Sequence, residues 1–221
     1  MAGKFIIIEG GEGSGKTSCL EYLKEKFGPK SDVIFTREPG GTVIGEKIRG
    51  VLMDKAHGKM SALTELFLFC ASRAQHIEEI VKPALLAGKN VVSDRFDAST
   101  FAYQIFGRKR RDLTKDFKTL NNIAKQGLAP DAVIYLDVVP AAGLKRKSES
   151  KEGRHTRFDR EALEFHKRVR TGFLRQFKTA KTFKTAKTTA WHLIPTTKMS
   201  EEQVKNEVLS IVKRLIQERK N

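Results

Sequence analysis

Phe5 to Ile8 is a short apolar run that leads directly into Gly10-Gly-Glu-Gly-Ser-Gly-Lys-Thr17. This run fits G-x-x-x-x-G-K-[ST] at every position. No other feature of the chain restricts its fold so strongly. A buried strand must end at the glycines and a helix must begin near Lys16. The glycines let consecutive backbone N–H groups turn inward around a phosphate, at a helix N-terminus that is already electropositive. The loop therefore presents Gly10, Gly11, Glu12, Gly13, Ser14, Gly15, Lys16, Thr17 and Ser18 to a nucleotide. Lys16 is expected to bridge the β- and γ-phosphates, and the Thr17 hydroxyl to ligate Mg2+. A dinucleotide fingerprint starting at Gly11 is excluded, because its third glycine would fall on Lys16.

The rest of the chain alternates strand and helix patterns. After the helix from Lys16 to Phe27, stopped by Gly28-Pro29, Val33–Thr36 reads as a second strand and Glu38–Gly41 as a loop. Thr42 caps a helix to about Asp54. Ser61 caps a longer one with an apolar stripe of Leu63, Leu66, Phe67, Cys70 and Ile77, bending at Pro83 and ending at Gly88. Further strands are expected at Asn90–Ser93, Ala132–Leu136 and Trp191–Ile194. Further helices are expected at Leu113–Gln126, Arg160–Phe177 and Glu201–Arg219, with a basic helix broken at Gly153. Alternation of this kind implies an α/β fold, a five-stranded parallel sheet with helices on both faces. With no linker, the whole of residues 1–221 reads as one domain.

Composition narrows the class further. Apolar runs are too short to span a bilayer, the N-terminus lacks the long apolar core of a leader, and Cys19 and Cys70 have no metal-ligand spacing. A cytoplasmic protein is expected. Lys and Arg number 42 against 26 Asp and Glu, a net charge of +16. Between Lys145 and Lys198 there are 16 Lys and Arg against 5 Asp and Glu, so most of the excess lies in about a quarter of the chain. Such a stretch reads either as a solvated helix face or as a source of arginines for phosphate. Inside it, Phe177-Lys-Thr-Ala-Lys-Thr182 is repeated at once by Phe183-Lys-Thr-Ala-Lys-Thr188. Two six-residue copies cannot form a solenoid, and they read as a duplication lengthening a helix end or loop.

A carboxylate near Mg2+ is expected at the end of a strand beside the glycine loop. Asp94 and Asp137 both end strands. Asp94 is preferred because Arg95 follows it, a carboxylate and a guanidinium together where open α/β sheets bind ligands. Asp137 reads as a strand-end residue.

Four stretches now resemble a known family, in its order: Phe5–Thr17, Thr36-Arg-Glu-Pro-Gly-Gly-Thr42, Ala71-Ser-Arg-Ala-Gln-His76 and Ser93-Asp-Arg-Phe96. Together they are similar to thymidylate kinases of the bacterial type. The resemblance implies a P-loop fold of three α/β/α layers with a helical lid at about 147–157, a homodimer, and transfer of the ATP γ-phosphate to dTMP. It implies that Phe69 stacks on thymine, although core packing is the plainer reading of Phe69 taken alone. Arg73, four residues on and so on the same helix face, would hydrogen-bond the base; alone it reads as a surface residue. Thr100 and Gln104 would contact the pyrimidine edge, and Tyr103 would pack under the sugar. Glu12 would lie near the acceptor's 3′-hydroxyl. Arg37, Arg49 and Arg95 would surround the acceptor phosphate, with Glu38, Pro39 and Ser99 lining the same site. Lys16, Asp94, Arg95 and a lid arginine, Arg154, would be catalytic, and Thr17 and Asp94 would hold the metal.

The lid departs from the family pattern. Thr156-Arg-Phe-Asp159 stands where Asp-Arg-Phe-Glu is usual, and Lys145, Arg146, Lys147, Lys151 and Arg157 compete with Arg154 for the role at the ATP phosphates. Three other readings are set beside the thymidylate kinase: a nucleoside monophosphate kinase of broader pyrimidine use, a basic nucleic-acid-binding ATPase, and a degenerate kinase-like binding module. The basic segment lacks the aromatic-basic interleaving of a strand-binding platform. Intact Lys16, Thr17, Asp94 and Arg95 argue against the binding module.

Overall fold

A computed structural model describes residues 3–150, 156–182 and 189–218. Five strands form one sheet: β1 (Phe5–Gly10), β2 (Val33–Arg37), β3 (Asn90–Asp94), β4 (Ala132–Asp137) and β5 (Ala190–Pro195). Their order is β2-β3-β1-β4-β5, and every pairing is parallel. The helices are α1 (Lys16–Phe27), α2 (Val43–Met53), α3 (Ala62–His76), α4 (Lys82–Leu86), α5 (Asp97–Thr100), α6 (Thr114–Lys125), α7 (Pro140–Glu149), α8 (Leu163–Thr182) and α9 (Glu201–Gln217).

β1 holds the centre because it is apolar on both faces. Ile6 and Ile8 meet Leu20 and Leu23 of α1 and Val204, Val208 and Val212 of α9. Phe5 and Ile7 point the other way, against Ile77, Val81 and Leu85. Each buried side chain of this size contributes about 1.5–3 kcal/mol. That burial offsets the conformational freedom lost by the glycines that follow. The expected caps are in place: Thr42 accepts from the Gly45 N–H, Ser61 from Thr64 and Ser200 from Gln203. Among the described residues no helix is long and apolar enough to cross a membrane.

Three elements differ from expectation. The helix after Ser61 is not one continuous α-helix: a wider π-turn at Ile77–Val81 separates α3 from α4, whose first turn holds Pro83, so the missing proline N–H falls where the helical ladder has already shifted. The last helix before β5 is Leu163–Thr182 rather than Arg160–Phe177, with Arg157–Arg160 forming a separate 3₁₀ turn. The first copy of the repeat thus lengthens α8, while the second copy, like Gly153, lies outside the described residues. Finally, α5 and the π-helical turns Phe101–Gly107 that continue it occupy a stretch with no expected element. Phe96, at the cap position of α5, supplies no side-chain bond. The cap comes from Glu9 of β1, whose carboxylate accepts from the Phe96 N–H at 3.0 Å and the Ser99 N–H at 3.1 Å.

The glycine loop is pressed against α7. A Cβ on Gly13 would sit 2.0 Å from the Gly143 carbonyl oxygen, and one on Gly143 would sit 2.2 Å from the Glu12 carbonyl oxygen. Both obstacles are backbone, which cannot swing aside. An alanine inside an exposed helix normally gains about 1 kcal/mol over glycine. Gly143→Ala should reverse that sign and cost about 1–3 kcal/mol through overpacking. Denaturant unfolding of the two proteins measures it; an unchanged or raised stability would show that the loop and α7 are not in this contact.

Candidate active site

The C-terminal ends of β1 and β3 lie side by side, with Ile8 opposite Asp94. The glycine loop leaves one strand and Asp94-Arg95 leaves the other, so the register alone brings them together. Within the loop, Gly13 and Gly15 take left-handed conformations at φ 64° and 94°. The Lys16 ammonium folds back to the Gly10 carbonyl oxygen at 3.0 Å. Burial, reinforced by the positive charge of Arg95, pushes the Lys16 amine down to about 8, with Asp94, Glu12 and Glu9 opposing. Anionic phosphate would restore the balance that this site lacks.

Among the described residues, two buried oxygens here have no hydrogen-bond partner, Asp94 Oδ1 and Ser14 Oγ. A bare carboxylate oxygen beside a phosphate loop, with the exposed Thr17 hydroxyl at the start of α1, is a hard oxygen donor set. It fits Mg2+, which binds few protein ligands and completes its shell with phosphate and water. Asp137 is otherwise engaged. It takes a forked pair of bonds from Arg170 at 2.7 and 2.8 Å and one from the Tyr135 hydroxyl at 3.1 Å. It is the strand-end residue expected.

Arg95 is the centre of a polar group beside the loop. Its backbone is left-handed at φ 71°, an unusual state for a residue with a Cβ. That conformation turns the guanidinium inward. It donates to Ser99 Oγ at 2.9 Å and Tyr103 Oη at 3.3 Å, and lies 3.8 Å from Glu12 and 3.9 Å from Glu9. Burial opposes its charge, but the Tyr103 oxygen, Glu12, Asp94 and Glu9 more than offset that and hold it protonated. The Tyr103 hydroxyl in turn donates to Glu12 Oε2 at 2.7 Å. Burial works to raise the Glu12 carboxyl, yet Arg95 and Lys16 prevail and hold it below its usual range. Glu12, Arg95, Ser99 and Tyr103 are thus one connected group.

A second group lies beneath α3. Arg73 is 1% exposed rather than a surface residue. It donates to Glu38 Oε2 at 2.9 Å, Asn121 Oδ1 at 3.0 Å and Thr100 Oγ1 at 2.9 Å. Glu38 also meets His76 Nδ1 at 2.9 Å, and His76 Nε2 meets Thr36 Oγ1 at 2.8 Å. The Glu38-Pro39 peptide bond is cis, and the Pro39 carbonyl accepts from Arg49 at 2.9 Å. Burial, with the charge of nearby Arg37, lowers the Arg49 guanidinium. Arg37 itself is half-exposed and forks onto Glu46. Phe69 is partly buried, its ring centroid 6.3 Å from that of Phe158, so part of its face is free for a ligand.

The lid residues sort themselves. Arg146 donates to the Thr196 and Thr197 carbonyls, Lys147 pairs with Asp159, and Arg157 is buried against Glu65 and the Leu52 carbonyl. None of the three is free for phosphate, which removes Arg157 as a substitute for Arg154. Lys151 and Arg154 lie outside the described residues. The altered Thr156–Asp159 run forms its own capping box. Two functional neighbours escaped the sequence reading. Glu9 looked like the last residue of a strand. Glu65, in the first turn of α3 where an acid normally offsets the helix dipole in solvent, drew no expectation and is completely buried.

Comparison with known proteins gives one answer. The family model described as thymidylate kinase matches residues 8–208. A thymidylate kinase of Lactobacillus helveticus (strain DPC 4571) is 44% identical over 178 residues, 79% of this chain and 82% of that relative. One from Desulfovibrio desulfuricans (strain ATCC 27774) is 42% identical over 175 residues, 76% of this chain and 80% of the relative. The crystal structure of thymidylate kinase from Ehrlichia chaffeensis superposes with a TM-score of 0.71 at 31% identity, covering 96% of this chain and 99% of that one.

Glu9 carries a pH signature. Burial pushes its carboxyl up from 4.5 to about 7, against Arg95 and the bonds from Ser99 and Phe96. Between those values the folded chain binds more protons than the unfolded one. Its contribution to stability therefore falls as pH rises through the window. Glu9→Gln exchanges no proton at this position. The wild-type unfolding free energy minus that of Glu9→Gln should drop as pH rises from 4.5 to about 7. A difference that stays flat would show that Glu9 does not titrate there.

Proposed function

The chain belongs to the thymidylate kinase family and is a dTMP kinase, a phosphotransferase of the P-loop class; we propose that the two groups described above divide its reaction between them. The glycine loop and Lys16 take ATP. The Arg95 group and the Glu38–Arg73 group take dTMP.

The observation that carries this reading is the meeting of Lys16, Asp94 and Arg95 at one strand junction. In-line transfer between two anions requires charge cancellation and alignment more than covalent help. Lys16 neutralises the transferring phosphate. Arg95, with Arg37 and Arg49, holds the acceptor phosphate; Ser99, Glu38 and Pro39 shape the wall around it. The acceptor oxygen of a phosphate monoester is already ionised at neutral pH, so no general base is needed. Glu12, tied to Tyr103, sits by the acceptor sugar. Thr17 and Asp94 would hold Mg2+, which supplies neutralisation of phosphate charge when bound. Arg154, on the lid, completes the charge around ATP and helps exclude water. Phe69 stacks on the base, with Arg73, Thr100 and Gln104 at its edge.

An assay of ADP release with MgATP and each nucleoside monophosphate tests this division. Lys16→Ala should abolish turnover while the fold stays intact. Phe69→Ala should raise the KM for dTMP about 5- to 150-fold, the range expected from losing about 1–3 kcal/mol of stacking, and leave that for ATP unchanged. Equal effects on both substrates would sink the base-pocket assignment, and a Lys16→Ala enzyme with most of its kcat would sink the loop assignment.

A homodimer accompanies this reading. Leu63 and Phe67, one turn apart on α3, are exposed, as are Ile44 and Val51 on α2 and Ile123 on α6. The three helices are neighbours, α3 packing against both others. We expect sedimentation to report twice the 24.9 kDa chain mass; Phe67→Glu should shift it toward the monomer. A monomeric wild type would overturn the dimer.

A further inference from the structure

Glu65 is an acid with no exposed surface, and no part of the reaction uses it. Its surroundings are specific. Arg157 donates to Oε1 at 2.6 Å, and Arg108 lies 2.9 Å from the same oxygen. Gln104 Nε2 donates to Oε2 at 3.0 Å. Two guanidiniums balance one buried carboxylate, which accounts for its tolerance in a dry site. They also fix the carboxylate rigidly against α3.

The bond to Gln104 has a directional consequence. A carboxylate paired with two arginines only accepts, so the amide must turn its NH2 toward it. The amide oxygen then faces away, and Gln104 Oε1 is buried with no hydrogen-bond partner among the described residues. An unpartnered buried acceptor costs about 1–3 kcal/mol unless a donor arrives.

The position of this acceptor follows from helix spacing. Glu65, Phe69 and Arg73 are four apart on α3, and Thr100 and Gln104 are four apart on the facing helix. Two rungs join the rows, Glu65 to Gln104 and Arg73 to Thr100. Phe69 lies between the rungs on its own helix. The ring assigned to base stacking is thus flanked by an acceptor that Glu65 has oriented.

We propose that Glu65 is a positioning residue for base selection: by locking the Gln104 amide with its oxygen outward, it makes the pocket accept a pyrimidine edge that carries a ring N–H. Thymine and uracil carry that N–H at N3. Cytosine presents a lone pair there, and two acceptors repel. A site built to bond one group rejects the analogue that lacks it far more strongly than a size filter does. The inference rests on the base-pocket assignment above and adds to it the residue that sets its polarity.

Steady-state kinetics with dTMP, dUMP and dCMP test it, using Glu65→Gln and Glu65→Asp. Glu65→Gln frees the amide to flip. Glu65→Asp keeps the charge for Arg108 and Arg157 but withdraws the carboxylate from Gln104, and it carries the test if Glu65→Gln does not fold. Either should lower the preference for dTMP over dCMP, as a ratio of kcat/KM, by about tenfold or more. The preference for dTMP over dUMP and the KM for ATP should stay unchanged. A structural role alone would lower kcat/KM for all three acceptors together, and that result overturns the proposal. Gln104→Ala separates the two readings. If it leaves the KM for dTMP unchanged, the pocket assignment itself fails. If it raises that KM while the Glu65 variants keep full discrimination, only the role of Glu65 fails.

Discussion

One carboxylate joins the two halves of this site. Glu9 ends the central strand and reaches across to cap a helix that follows the neighbouring strand, taking bonds from Phe96, Ser99 N–H and the Ser99 hydroxyl. The helix that it caps carries Ser99 and Thr100, and the π-helical turns that continue it carry Tyr103 and Gln104. The residue it passes on the way is Arg95. Without this cap the short helix has no local reason to begin where it does. With it, the phosphate loop and the acceptor pocket are built from one strand junction. Burying such a group is costly, and the site accepts the cost because three donors and a nearby guanidinium meet it.

Charge is handled in the same way throughout the interior. Glu38 is matched by Arg73, Asp137 by Arg170, Asp97 by Lys125 and Glu65 by Arg108 and Arg157. The exceptions are informative. Among the described residues, Asp94 leaves an oxygen bare, and Lys16 has only backbone carbonyls within bonding distance. An interior that pairs its charges so consistently leaves these two incomplete, and an uncompensated buried charge is costly, which supports the proposal that phosphate and its counter-ion bind here.

Much of this was legible in the chain because the signals are local. The loop Gly10–Thr17 is read from eight consecutive residues. The parallel sheet follows from alternation, and the caps at Thr42, Ser61 and Ser200 follow from a side chain three residues before the N–H that it satisfies. What was not legible depends on distance along the chain. The helix at Asp97–Thr100 is capped by a residue nearly 90 positions earlier, so no window around Phe96 reveals it. Arg73 reads as exposed because its three partners, Glu38, Thr100 and Asn121, come from three different elements. Glu65 satisfies every rule for a solvated first-turn acid, and only the arrival of Arg108, Gln104 and Arg157 buries it. Arg157 reads as one more lid cation until its partner is known.

The contact between Gly13 and Gly143 bears on how such an enzyme can be altered. The two glycines are 130 positions apart, yet a side chain on Gly13 would strike the backbone at Gly143, and one on Gly143 would strike the backbone at Glu12. Each position needs glycine whatever stands at the other. A phosphate loop moved into another scaffold must therefore meet a helix backbone that approaches as closely as this one, so the modular unit here is the loop together with α7.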